Sequence, residues 1–200
     1  MLLHAAVAMQ ADKDMLTQAD KAIGDGDHGI GMARGFAAVQ GALEARPQDS
    51  VGGLLRAVGA ALLSATGGAA GAVLGRFFRG GAKCLVEARQ FDAAALASLL
   101  GDGLAAVQER GKASPGDKTM VDALAPAAER AAELRHARLD EALAAASDAA
   151  AAGVEATKAM VARLGKAKRL GERSVGHADP GALSMSLILQ HMLEYVRSNE

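Results

Sequence analysis

The stretch LDEALAAASDAAAAGVEATKAM, residues 139–160, decides the fold class. Alanine has the highest intrinsic helix propensity, because its side chain has no rotamer freedom to lose. Leu139, Leu143, Val154 and Met160 bracket the alanine run from 142 to 152, and apolar anchors of this kind read as a packed helix, not as low-complexity sequence. The same composition extends outward along the chain. Alanine fills 48 of 200 positions, aromatics make up 2% and tryptophan is absent, so the core must be built from Ala, Leu, Val and Met. The β-branched and aromatic residues that favour strands are too scarce for an all-β fold, and the chain reads as all-α. Small side chains let helix axes approach closely, so tightly packed neighbours are expected. No repeat, serine-rich linker or shift in composition divides the chain, whose length fits a single domain over residues 1–200.

Charge and cysteine content exclude several functions. Twenty-two basic against 23 acidic residues give a net charge of −1 with no basic block, which argues against a nucleic-acid partner. The single cysteine, Cys84, can form no internal disulfide, and the chain reads as cytoplasmic. The N-terminal MLLHAAVAMQADKD lacks the basic start of a signal peptide, and no run approaches the roughly 18 apolar residues of a membrane span. No membrane partner is expected.

Apolar periodicity predicts about eight helices, near residues 2–22, 32–45, 50–65, 70–88, 92–110, 117–135, 138–164 and 180–197. Pro47 and Asp49 precede the third, Asp117 is a candidate N-cap of the sixth, and Asp179-Pro180 places a cap before a first-turn proline in the last. If the helices run up and down, alternate connections gather at one end. Those are IGDGDHGIG, SATGGAAG, RGKASPGDKT and LGERSVGHADPG, whereas ARPQDS, ARQFD and the bend at His136–Arg138 are bland.

Each unusual loop has a plain reading beside a functional one. Asp20, Asp25 and Asp27 stand close in sequence with glycines between and after the last two. Such carboxylates repel unless a cation compensates, and oxygen ligands without thiols suit Mg²⁺ or Ca²⁺. DGD alone could be an Asx-rich turn; Asp20 and His28 tilt the balance toward metal. Gly67 and Gly68 ahead of a helix could expose N–H groups to phosphate, or could simply allow close helix crossing. Lys118 in a first helical turn is electrostatically unfavourable without an anion, though a solvated lysine is the default. GERSVGHADPGALS offers Arg173, His177 and the N-terminus of the last helix, with Asp179 as no more than a cap in the plain reading. Together, carboxylates for Mg²⁺ and several helix N-termini describe a polyphosphate site, and nucleotide-dependent phosphoryl transfer is the function they favour.

The motifs IGDGDHG, MARGF, GGAAG, PGDKTMVDALAP and LGERSVGHADPGA, in this order from about Leu16 to the last helix, resemble the nucleotide-binding L subunits of dihydroxyacetone kinases. The resemblance implies an antiparallel up-and-down barrel of eight helices with the nucleotide at one end. It also implies phosphorylation of dihydroxyacetone, a substrate held covalently by a separate K subunit. Carried over motif by motif, Asp20, Asp25 and Asp27 would hold two Mg²⁺ ions on the phosphates of ADP or ATP. His28, Gly29, Ile30 and Gly31 match the adjoining nucleotide turn, and Ala69 and Ala70 match the phosphate loop. Gly111 and Met120 match contacts to the adenosine, and Asp179, Pro180 and Gly181 match the last nucleotide loop. Lys166 stands where a basic residue near the nucleotide is expected. The chain departs from the family pattern at Ala70, where a serine is common, and at Gly26 and Gly31, where alanine and asparagine are often found.

In the phosphotransferase-system version of this chemistry, ADP stays bound and is rephosphorylated by a phosphohistidine on an M subunit. The alternative is an exchangeable ATP, with dihydroxyacetone or a related ketose such as erythrulose as acceptor. The absence of an obvious base for a substrate hydroxyl fits a divided active site. A different class of function is a non-catalytic nucleotide-sensing module, and a second copy of the chain is a further candidate partner. With so few aromatics, adenine recognition should rest on aliphatic side chains and backbone.

Overall fold

A computed structural model describes residues 1–46 and 48–199. Nine α-helices are found among them: α1 Leu2–Ala11, α2 Lys13–Ile23, α3 His28–Ala45, α4 Val51–Ala65, α5 Gly68–Gly81, α6 Ala93–Gly111, α7 Val121–Glu133, α8 Leu139–Thr157 and α9 Pro180–Ser198. Two 3-10 segments, Lys83–Leu85 and Lys166–Ser174, complete the elements, and no strand occurs among the described residues. Consecutive helices pack side by side, and α9 returns to α1 and α2, which closes the ring. With α1 and α2 counted as one bent stave, this is the expected antiparallel barrel of eight.

Its core is aliphatic. Met9, Leu16, Met32, Leu55, Leu62, Leu96, Leu99 and Leu100 are fully buried, and three phenylalanines join them: Phe36, and Phe77 and Phe78, the latter two packed edge to face with centroids 4.9 Å apart. Glycines set how closely the staves approach. A Cβ at Gly59 of α4 would come to 2.7 Å from the Gly75 carbonyl of α5, and one at Gly75 to 2.8 Å from the Gly59 carbonyl. Gly153 of α8 packs on the Asp122 carbonyl of α7, where any Cβ would overlap backbone. Pro126 can donate no bond back to that carbonyl, so the ladder of α7 is open where α8 leans against it.

Several boundaries differ from the sequence expectation. The first helix breaks at Asp12, whose carboxylate accepts a bond from His191 Nε2 of α9 at 2.6 Å. Helix α3 begins at His28, four residues early, while α5 and α8 stop at Gly81 and Thr157 instead of running to 88 and 164. Helix α4 is capped by Ser50, which accepts from Gly53 N at 3.1 Å, and not by Asp49; Pro47 lies outside the described residues. Asp117 does not cap α7. Lys118 adopts a left-handed backbone, φ 60°, which ends any helix before it, and α7 starts three residues later. The Asp179 cap stands: its Oδ2 accepts from Ala182 N at 2.8 Å, with Pro180 in the first turn.

Two of the bland connections meet at one end of the barrel, where Val51 N donates to Ala88 O at 2.8 Å and Arg89 donates to Asp49 O. No described helix is long and apolar enough to cross a membrane.

Candidate functional site

The four unusual loops meet at the other end, around a cavity of about 500 Å³. Its wall is built from the end of α2, the start of α3, the α4–α5 turn, the α6–α7 loop and the start of α9. A cavity of this size lies within the usual range for small-molecule sites.

On one side stand three carboxylates. Asp20 closes the last turn of α2 and is buried, whereas Asp25 and Asp27 lie exposed in the loop that follows. One oxygen from each can be chosen so that all three lie within 4.8 Å of one another. Backbone fit holds them there: a Cβ at Gly24 would overlap the Asp20 carboxylate, and Gly26 has φ 78°. Asp20 Oδ2 also accepts from His28 N at 3.2 Å, which fixes its direction. Lys166 reaches across from the 3-10 segment, its Nζ 2.5 Å from Asp25 Oδ2 and 3.1 Å from both Asp27 oxygens. The Lys166 hydrogen bond holds the Asp25 carboxyl below its ordinary range, and the same bond raises the lysine. Three carboxylates against one ammonium leave an excess of negative charge on oxygen donors alone, a set that fits Mg²⁺.

His28 opens α3 beside this cluster. Ser184 Oγ donates to Pro180 O at 3.0 Å, so at the 2.7 Å contact between His28 Nε2 and Ser184 Oγ the imidazole is the donor. Burial lowers the His28 pKa against the pull of Asp20 and Asp27, and the ring is neutral near pH 7. Ser184 was not among the sequence candidates. It lies near the start of α9, and its role depends on a residue 156 positions earlier.

Opposite lies the α4–α5 turn. Gly67 and Gly68 have φ 77° and 56°, and no side chain caps α5, whose first residues Gly68, Ala69 and Ala70 form wall. Uncapped N–H groups with the positive end of a helix dipole are suited to an anion. Between the two charged regions the wall is aliphatic, formed by Ile23, Val73, Leu74, Val107, Met120 and Leu164, and no phenylalanine or tyrosine contributes.

The floor under α9 is a buried polar knot. Lys118, 1% exposed, is neither solvated nor in a helical turn: its Nζ donates to Thr157 O at 2.6 Å and His177 O at 2.5 Å. Burial lowers its pKa. Asp122 accepts from Gly116 N at 2.5 Å and Thr119 N at 2.7 Å, shaping the GDKT turn. Asp179 N is held by Thr157 Oγ1 at 3.0 Å. Burial pushes the Asp179 carboxyl up to about 7; the Ala182 N–H bond and Lys118 oppose the rise and Asp122 adds to it.

Of the sequence candidates, Asp20, Asp27, His28, Ile30, Gly31, Ala69, Ala70, Gly111, Met120, Lys166, Asp179, Pro180 and Gly181 line this one cavity. Asp25 joins it through Lys166, and Gly29 lies behind the wall, packed on the Lys13 carbonyl of α2. Arg173 and His177 contribute no side chain to the wall.

A profile of the DAK2 domain matches residues 22–194. The chain belongs to the DAK2 domain family. Among DAK2 relatives, "PEP-dependent dihydroxyacetone kinase, ADP-binding subunit DhaL" of Escherichia coli (strain K12) is 40% identical over 181 residues, 90% of this chain and 86% of the relative. A Listeria innocua subunit, "PEP-dependent dihydroxyacetone kinase 1, ADP-binding subunit DhaL", is 36% identical over 93% of this chain and 89% of its own. The crystal structure of the C. freundii dihydroxyacetone kinase in complex with AMP-PNP and Mg²⁺ superposes with a TM-score of 0.77 at 26% identity, covering 97% of this chain and 33% of that one. This chain therefore matches most of the length of a named subunit and one third of a longer kinase chain.

Proposed function

We propose that this DAK2 domain, a single domain over residues 1–200, is the nucleotide-binding subunit of a dihydroxyacetone kinase. The observation that carries the reading is the placement of the three-carboxylate cluster and the uncapped start of α5 on one cavity with an aliphatic middle. Near full-length similarity to subunits named ADP-binding supports it.

In this reading Asp20, Asp25 and Asp27 hold two Mg²⁺ ions, which supply charge neutralisation for the phosphates of ADP or ATP. The backbone of His28–Gly31 and of Ala69 and Ala70 seats those phosphates. Gly111 and Met120 flank the adenosine, where Val107 and Ala113 complete an apolar slot. Asp179, Pro180 and Gly181 close the site from the start of α9. Lys166, which pairs with Asp25 and Asp27, would supply positive charge beside the phosphates. The chain's share of catalysis is positioning and electrostatics. The acceptor, dihydroxyacetone, is presented by a separate K subunit, and a phosphohistidine on an M subunit recharges the bound ADP.

A second reading, exchangeable ATP as donor, is favoured by the AMP-PNP and Mg²⁺ complex of the C. freundii kinase. Both are tested by mixing the purified chain with a K subunit, dihydroxyacetone and Mg²⁺. Product only when phosphoenolpyruvate and the phosphohistidine relay are added supports the first reading, and product with ATP alone supports the second. ADP binding with no transfer under either condition would replace both by a nucleotide-sensing module.

A further inference from the structure

Helices α4 and α5 are antiparallel and joined by a tight turn, so the carbonyl end of α4 and the amide end of α5 emerge at the same rim of the cavity. Their dipoles oppose each other there. An anion drawn to the amides of α5 would also face the unpaired carbonyls of α4. No side chain in the Gly67-Gly68-Ala69-Ala70 segment can offset them, since none carries a donor or a charge.

Arg34 of α3 meets that problem. Its Nε donates to Ala65 O at 2.6 Å and its Nη2 to Thr66 O at 2.7 Å, so the guanidinium covers the carbonyl end of α4. Two glycines of α3 make the reach short. A Cβ at Gly31 would come to 3.0 Å from Thr66 O, and one at Gly35 would overlap the Thr66 hydroxyl. A Cβ at Gly67 would in turn come to 2.9 Å from Arg34 Nη2. The side chain forms part of the cavity wall beside the turn. Guanidinium carries five N–H donors, and the two loop bonds use two of them.

We propose that Arg34 is the positioning residue of the α4–α5 turn, holding its carbonyls away from the cavity and giving the turn the fixed positive charge that makes the site prefer nucleotides with more phosphates. This deepens the nucleotide reading above and rests on it. The remaining donors face the terminal phosphates, while the adenosine end of the cavity is served by residues that Arg34 does not touch.

Equilibrium dialysis with labelled adenosine, AMP and ADP at saturating Mg²⁺ tests it on the wild-type chain, Arg34→Gln and Arg34→Lys. The expected result for Arg34→Gln is at least a tenfold loss of ADP affinity, a smaller loss for AMP and adenosine binding within twofold of wild type. Arg34→Lys restores charge without the fork and recovers part of the ADP affinity. The wild-type affinity for ADP falls more steeply with salt than that of Arg34→Gln. Should Arg34→Gln lose its helical circular dichroism, Arg34→Met, which keeps the aliphatic stem, takes its place. ADP affinity unchanged in the variant, or equal losses for adenosine and ADP, overturns the proposal. A wild-type chain that retains no labelled ADP overturns the nucleotide reading itself.

Discussion

Replacing Asp179 by asparagine should change how the stability of the barrel depends on pH. The carboxyl caps α9 through Ala182 N, and burial raises its pKa from 3.8 to about 7. A carboxyl with a raised folded pKa binds protons more tightly in the native state than in the unfolded chain. Its contribution to stability is therefore present below the unfolded value and is lost as pH rises from about 4 toward 7. About three pKa units at 1.36 kcal/mol each set an upper bound of about 4 kcal/mol. Asparagine caps as well as aspartate and carries no charge, so the variant removes the penalty and keeps the cap. Urea unfolding of both proteins at pH 4.5 and pH 8 isolates the effect, because other titrating groups cancel in the difference. Wild type should lose about 2–4 kcal/mol relative to Asp179→Asn over that interval. A difference that stays constant with pH, or that moves in wild type's favour, would refute the raised pKa of Asp179.

Three other perturbations bear on the packing that holds the site. Gly153→Ala drives a methyl into the Asp122 carbonyl and Ala123 Cα, backbone that cannot yield; a loss of about 1–3 kcal/mol is expected in chemical denaturation. Lys118→Met leaves the Thr157 and His177 carbonyls without their donor, and at about 1–3 kcal/mol per orphaned group, less the relief of no longer burying a charge, should cost about 2–4 kcal/mol. Faster amide exchange confined to the ends of α8 and the 176–179 segment would locate the damage. Burial pulls the His191 pKa down, but the Asp12 and Glu194 carboxylates outweigh it and the net shift is upward. Its stabilising contribution is thus complete below about pH 6.5 and fades as pH rises through the raised value. His191→Gln should be less stable than wild type at pH 6 and closer to it at pH 9, as read by thermal melting.

How much of this was legible in the sequence depended on the range of each interaction. The alanine-rich 139–160 stretch identifies a helix from local propensity alone, and the alternation of rich and bland loops locates one functional rim. Asp20, Asp25 and Asp27 were legible because their spacing is short and their loop glycines are local. Lys118, by contrast, looks like an ordinary first-turn lysine until Thr157 and His177, 39 and 59 residues away, are brought around it. The break at Asp12 has the same origin, since its partner His191 lies 179 residues along the chain. Arg34 and Ser184 were missed for that reason too: each sits in a regular helix, and only the barrel's closure shows which loop its side chain meets.

In the proposed function, the acidic cluster and the α4–α5 turn form one Mg²⁺-dependent nucleotide site. Calorimetric titration of ADP into the wild-type chain and into Asp25→Ala, with Mg²⁺ and then with excess EDTA, tests it most directly. The expected result is one ADP per chain with Mg²⁺, and at least tenfold weaker binding in EDTA or in the variant, with helical content unchanged. Equal ADP affinity with and without Mg²⁺, and in wild type and Asp25→Ala alike, would contradict it.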